Sequence, residues 1–219
     1  MKITRQVQPW DKTDKIVKVY ITLIFRSFQK IRRKLSAANF DEVNVIGAVN
    51  TEWQKIDAYM KEALLKIVVY YYRVGFQTCG KPPPDDMEAQ MVFAKLLDSL
   101  DPVTHYLFLP ESDRKRARLI EALLSVRTVR ERNKQLDIGI RYIVRQLRQT
   151  ADDYTMDVLI QSFKDAGVEE VEWVTQQDEK VCAECEPLDG QIFKIDKVPM
   201  LPAHYGCRCY IIPVLRRNK

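Results

Sequence analysis

The chain has 219 residues, 46% of them hydrophobic, which suffices for a sizeable core and for one large or two small domains; two are expected. Its net charge of +5, from 35 Lys+Arg against 30 Asp+Glu, is too mild to declare a nucleic-acid binder by itself. The opening Met1-Lys2-Ile3-Thr4-Arg5-Gln6 lacks the apolar run and cleavage site of a secretory signal, and the longest apolar stretches, Val19 to Phe25 and Ile67 to Tyr72, are far too short to cross a bilayer. A start in the cytoplasm and no membrane partner are therefore expected.

Thr13 to Ala38 places Ile16, Val19/Tyr20, Leu23/Ile24, Ile31 and Leu35 near a 3.6-residue recurrence, which predicts an amphipathic helix. Asn44 to Gln77 repeats the pattern through Trp53, Ile56, Met60, Leu64, Ile67 and Tyr71, with Asn50 or Thr51 as N-cap. Its stretch Ile67-Val68-Val69-Tyr70-Tyr71-Tyr72 is apolar or aromatic all round, so it belongs in a core or against a partner. Gly80 and the prolines 82–84 end that helix. A further helix is predicted from Asp86 to Leu100, with Met87, Met91, Phe93/Ala94 and Leu97 as its stripe, followed by a break at Asp101-Pro102. After Pro110, Ser112 or Asp113 is placed to cap a helix running towards Leu124.

Charge is unevenly distributed. Between Ser112 and Thr150, eleven Lys/Arg face four acids, a local net of +7, so the remainder is slightly acidic. Arg127, Arg130, Lys134, Arg141, Arg145 and Arg148 are the candidates to meet DNA, the last three repeating at i, i+4, i+7 opposite an apolar stripe of Ile138, Tyr142, Ile143 and Leu147. An ordinary solvated helix face reads the same way. Aromatic residues are sparse here, which argues against stacking on single strands.

Asp152 or Asp153 is placed to cap one more helix, closed by Gly167. Beyond it the period changes: Val168 to Val174, Gln191 to Ile195 and Tyr210 to Val214 read as three short strands. The expectation is thus a mainly α protein: a helical body over residues 1–150 and a small α+β module over residues 151–219.

Within that module Cys182, Cys185, His204, Cys207 and Cys209 follow the pattern C-x2-C-x18-H-x2-C-x-C. Thiolate and imidazole suit tetrahedral zinc, and in a reducing compartment such spacings favour a structural metal, here Zn²⁺, over a disulfide. Reduced thiols packed in a small core are the bland alternative. Cys182 and Cys185 supply two ligands; two of His204, Cys207 and Cys209 complete the set, with C-x-C favouring the two cysteines because it keeps their sulfurs close. A zinc deaminase would need His-x-Glu ahead of its Cys-x2-Cys, and His105 is followed by Tyr106 and Leu107. A metal-dependent nuclease would need more than His204 with Asp189 and Asp196, so no enzyme is expected. A zinc-containing DNA-binding regulator is a third reading.

The ordered pieces Gly167-Val168, Trp173-Val174-Thr175, Cys182-x2-Cys185, Leu188-Asp189-Gly190 and Pro202-x-His204-x2-Cys207-Arg208-Cys209 resemble the C-terminal signature of tailed-phage head morphogenesis proteins, the phage Mu F-like and SPP1 minor head protein-like family. The resemblance covers roughly residues 140 to 213 and strengthens from Gly167 onward. It implies a minor capsid protein inside the head, near the portal vertex of the virion, with the portal protein, packaged double-stranded DNA and capsid or scaffolding protein as partners, acting in packaging or ejection. The apolar stretch Ile67 to Tyr72 is a candidate portal surface. Arg208, held between two candidate ligands, would bond carbonyls within the module or reach an acidic partner.

Overall fold

In the computed structural model, residues 2–5, 8–37, 40–99, 109–176 and 181–215 are described. Among them are five α-helices and a small sheet: α1 (Trp10–Ala37), α2 (Glu42–Thr78), α3 (Asp86–Ser99), α4 (Leu109–Leu124), α5 (Val129–Asp165), then β1 (Glu170–Val174), β2 (Ile192–Lys194) and β3 (Tyr210–Pro213). The mainly α fold with a β-containing C-terminal region is as expected. The break at Asp101-Pro102 and His105 lie outside the described residues.

The buried stripe of α1 is Val17, Tyr20, Ile24, Phe28, Ile31 and Leu35, which recurs at three and four residues, while Val19 faces solvent. In α3 the assignment moves further: Met87 and Met91 are exposed, and Ala89 and Val92 are the buried pair. Side-chain size misled here, because a small Ala packs closer than a Met can.

Polar residues expected to cap helices instead sit inside them. The cap of α2 is Asp41, whose Oδ1 accepts from the Asn44 N–H at 2.8 Å, while Thr51 donates back to the Gly47 carbonyl at 2.8 Å. Ser112 lies within α4, where its hydroxyl accepts from Trp53 Nε1 at 2.9 Å and donates to Asp57 at 2.7 Å. Asp152 and Asp153 lie in mid-helix. α5 runs through them without a break, and Asp153 accepts from Gln149 Nε2 one turn earlier at 2.8 Å rather than from a free backbone N–H. The start of α5 carries a cap that went unread: Thr128 Oγ1 accepts from the Glu131 N–H at 3.2 Å, and Glu131 accepts in return from the Thr128 N–H at 3.1 Å.

The chain groups into two compact units, Met1–Lys15 with Leu64–Leu97 and Gln149–Lys219, and Ile16–Ala63 with Asp98–Arg148. In the second, Ile24, Phe28, Trp53, Ile56, Met60, Leu123, Leu136 and Ile143 are buried to 2% exposure or less. In the first, Ile67, Val68, Tyr71 and Tyr72 of α2 are buried while Val69 and Tyr70 are half-buried, so most of the all-round apolar stretch is core. The surface suggested for portal contact at Ile67 to Tyr72 is therefore mostly interior. Burial of the Tyr71 phenol among Thr13, Thr155 and the Pro9 carbonyl pushes its ionisation well up.

Still in the first unit, α2 and α5 approach so closely at Gly75 that a Cβ there would lie 1.7 Å from Ser162 Oγ and 2.6 Å from Ser162 Cβ. Gly75→Ala gains about 1 kcal/mol of helix propensity, but the clash in a filled interface costs about 1–3 kcal/mol, and Ser162 is fully buried with its hydroxyl held by Leu159. A net loss of stability is expected in urea titration, and a stabilised Gly75→Ala would refute the close-packing account.

α5 ends as the sequence predicts. Gly167 has φ 74, the Val168 N–H returns to the Phe163 carbonyl at 2.9 Å and the Gly167 N–H to Lys164 at 2.8 Å, a turn that a Cβ would strain. The chain then enters an antiparallel sheet of order β2-β1-β3. Val171 pairs with Phe193 on one side and Pro213 on the other, and Trp173 with Ile211. Val171, Trp173, Tyr210 and Ile211 are fully buried, which puts the centre of this small core on β1.

Candidate metal centre and basic helix face

Two short turns hold the cysteine and histidine side chains. In the first, the Cys185 and Glu186 N–H groups both donate to the Cys182 carbonyl at 3.0 Å, and the Cys185 N–H also lies 3.3 Å from Cys182 Sγ. In the second, the Cys207 N–H donates to the His204 carbonyl at 3.0 Å, a reversal helped by Gly206 at φ 76. Each is an x2 turn that presents the side chains at its ends together.

The two turns, with Cys209 just before β3, gather the five predicted residues into two groups. Cys182, Cys185 and His204 form one group and Cys185, Cys207 and Cys209 another, with ligand atoms inside each within 4.8 Å of one another; both lie close enough to hold a metal ion. Cys185 belongs to both. All five cysteines of the chain are free thiols, and Cys79 belongs to neither group. Cys182 Sγ lies 3.1 Å and Cys185 Sγ 3.6 Å from His204 Nε2, and Cys185 Sγ lies 3.9 Å from Cys207 Sγ. Tetrahedral zinc, with Zn–S of about 2.3 Å and Zn–N of about 2.0–2.1 Å, sets its ligands about 3.8 Å apart for S···S and about 3.6 Å for S···N. The Cys185–His204 and Cys185–Cys207 separations match those values, and Cys182–His204 is shorter.

Electrostatics point the same way. The Cys207 thiol is held down to about 5, first by its hydrogen bond from Cys209. Cys209 is pushed far up by that same bond and by burial, and burial pushes Cys185 up to about 12. Cys182 is lowered by bonds from the Cys185 side chain and N–H. The thiols thus share their protons, and a cation that takes up the charge releases the rest. The cavity between them, ≈ 90 Å³, is also lined by Gln176, Val181, Gly206 and Arg208. Gln176 Oε1 is buried without a hydrogen-bond partner among the described residues.

Among the described residues no carboxylate lines this cavity. Asp189 accepts from the Thr175 N–H at 2.8 Å, and Asp196 pairs with Lys164 at 2.8 Å. The first of these contacts gives a physical reason for two motif pieces: the aspartate of Leu-Asp-Gly ties down the backbone of Trp-x-Thr. Arg208 is exposed, and it is its carbonyl oxygen that bonds within the unit, accepting from Trp10 Nε1 at 2.7 Å. Sequence reasoning missed that contact and its neighbours: the Tyr210 hydroxyl reaches the Thr4 and Arg5 carbonyls at 3.0 Å, Arg5 Nε donates to Glu172 at 2.8 Å, and Gln176 Nε2 donates to Gln8 Oε1 at 2.7 Å. The first ten residues, short and without periodicity, gave no signal of such a role.

The basic residues divide by location. On α4, Arg114 and Lys115 pair with Glu111, and Arg116 with Asp113 at 2.9 Å, so these cations are answered locally. Arg127, Arg130, Lys134, Arg141, Arg145 and Arg148 are all exposed. Around α5, Arg130, Lys134, Arg141, Arg145 and Arg148 fall within an arc of about 60° along about 27 Å of axis. Asp137, the acid on that face, is paired with Arg32 at 2.6 Å.

No curated protein and no solved structure matches the chain. Residues 125–212 match the family model described as phage Mu protein F like protein, a span that holds α5, β1, β2, most of β3 and every candidate metal ligand, and over this part the chain is similar to that family.

Proposed function

We propose that this protein is a phage head morphogenesis protein, a minor component of the virion with no catalytic activity of its own. The observation that carries the reading is the family match across residues 125–212, which contains the cysteine and histidine turns. Zinc is the metal we assign, because three or four thiolates with at most one imidazole at these spacings are its preferred structural set. It would fasten the two ligand-bearing loops to each other.

Portal association inside the head belongs to the same reading and draws on the family alone. Contact with packaged double-stranded DNA draws on the exposed cationic face of α5, whose length and spacing suit a run of phosphates. Mass spectrometry of fractionated phage particles is expected to find the protein in DNA-filled heads; its absence from particles would overturn the reading. DNA binding is expected to weaken linearly in log Kobs against log salt, without sequence preference. Replacing Lys134, Arg141 and Arg148 with alanine should lower that slope by about one per cation, and an unchanged slope would remove α5 from the interface.

The rival reading is a metal-dependent nuclease acting during packaging. It lacks a carboxylate or second imidazole beside the cluster among the described residues. Plasmid incubated with the protein and Mg²⁺ or Mn²⁺ should stay intact, and cleavage lost on His204→Ala would favour the rival.

A further inference from the structure

Resting on the zinc reading above, we infer that the ion is held by Cys182, Cys185, His204 and Cys207, and that Cys209 is a positioning thiol rather than a ligand. Five donors compete for four places. Two of the places belong to the first turn, because Cys182 and Cys185 sit at its ends with the Cys185 N–H turned on Cys182 Sγ at 3.3 Å, the backbone support that a metal-bound thiolate needs. The question is which two of the remaining three complete the set, and spacing by itself favours Cys207 and Cys209.

The structure favours His204 over Cys209 on three counts. His204 Nε2 is directed at the first turn, 3.1 Å from Cys182 Sγ and 3.6 Å from Cys185 Sγ, the second of these close to the S···N separation of about 3.6 Å in a tetrahedral site. Its other nitrogen, Nδ1, lies 3.2 Å from the Tyr205 carbonyl oxygen. A proton held there by that oxygen leaves the Nε2 lone pair free, the arrangement that orients ligating histidines. Finally, His204 and Cys207 sit at the two ends of the second x2 turn, as Cys182 and Cys185 do in the first, so two like turns each supply two ligands. Cys207 also stands 3.9 Å from Cys185, near the separation of about 3.8 Å for two thiolates on one zinc.

Cys209 lies outside both turns, one residue before β3, and is 4% exposed. It keeps within 4.8 Å of Cys185 and Cys207. From there its S–H donates to a metal-bound sulfur and fixes the second turn against the sheet. Two thiolate neighbours and no need to lose its own proton make that the natural place for a fifth, non-ligating cysteine.

The test reads ligands directly in the unaltered protein. Loaded with ¹¹³Cd²⁺ in place of zinc, it is expected to show one cadmium resonance coupled to the β protons of Cys182, Cys185 and Cys207 and to the His204 ring, and none to Cys209. Coupling to Cys209 with the imidazole silent overturns the assignment while leaving the metal reading intact. Failure to take up ¹¹³Cd²⁺ or Zn²⁺ at all removes the metal reading and this assignment with it. A second measurement uses Co²⁺. Cys209→Ser should retain the full thiolate-to-cobalt charge-transfer intensity of the parent, whereas Cys207→Ser should lose about a third of it or fail to bind, three thiolates being ligands. A loss of about a quarter in Cys209→Ser would count against the proposal.

Discussion

Cys185→Ser is expected to leave the protein with almost no bound zinc after dialysis, the largest single effect on the metal centre. Cys185 belongs to both groups of ligand atoms, so its loss leaves at most two donors on either side whichever residues complete the site. The side chain is 1% exposed, so the change also places a hydroxyl among sulfurs where the parent has a thiolate. A fall in metal affinity of well over tenfold follows, together with a lower melting temperature for the sheet unit, which chelation of the parent protein should reproduce. Elemental analysis and thermal unfolding with and without chelator check both. Zinc content and melting temperature equal to the parent would mean that the cluster is a packed thiol core and not a metal centre.

Trp173→Ala should destabilise the unit that contains it by about 3–5 kcal/mol. Trp173 is fully buried on the central strand, paired with Ile211 of β3 and set edge-on to Phe193 of β2 at 6.5 Å between ring centroids. Removing the indole opens a cavity that three short strands cannot collapse. The indole Nε1 has no hydrogen-bond partner among the described residues, so no lost bond inflates the figure and the cost is that of packing alone. Trp173→Phe, which keeps most of the ring, should recover more than half of it. A loss under 1 kcal/mol in urea unfolding for Trp173→Ala would show that the sheet carries little of the unit's stability.

Both predictions rest on the region that was most legible in the sequence. The strands after Gly167 were readable because β-branched and aromatic residues alternate there between clear turn signals, and the three predicted segments match the observed strands to within a few residues. The helices were readable as periodicities, and α3 starts at Asp86 as read, but the caps proposed for the other helices were not the observed ones. Asn50, Thr51, Ser112, Asp152 and Asp153 all carry side chains suited to capping, and all lie within helices, where Thr51 bonds a carbonyl one turn back, Asp153 a neighbouring glutamine, and Ser112 both Trp53 and Asp57. A hydroxyl or carboxylate satisfies whichever donor or acceptor the folded chain brings nearest, and sequence order does not reveal which that is.

The sequence by itself determined the composition of the centre: five soft donors at x2, x18, x2 and x1 spacings, a strand-rich frame around them, and a cationic run upstream. These follow from local chemistry, since ligand type, turn propensity and helical period act over a few residues. Tertiary structure decided the rest. It turned most of the all-apolar stretch of α2 into core, answered Arg114, Lys115 and Arg116 of α4 with Glu111 and Asp113 while leaving the cations of α5 exposed, and brought Trp10 against the carbonyl of Arg208. It also placed Cys185 in both ligand groups. Which groups meet across many tens of residues depends on how helices and strands pack, and packing is set by the whole surface of each element rather than by any motif along it.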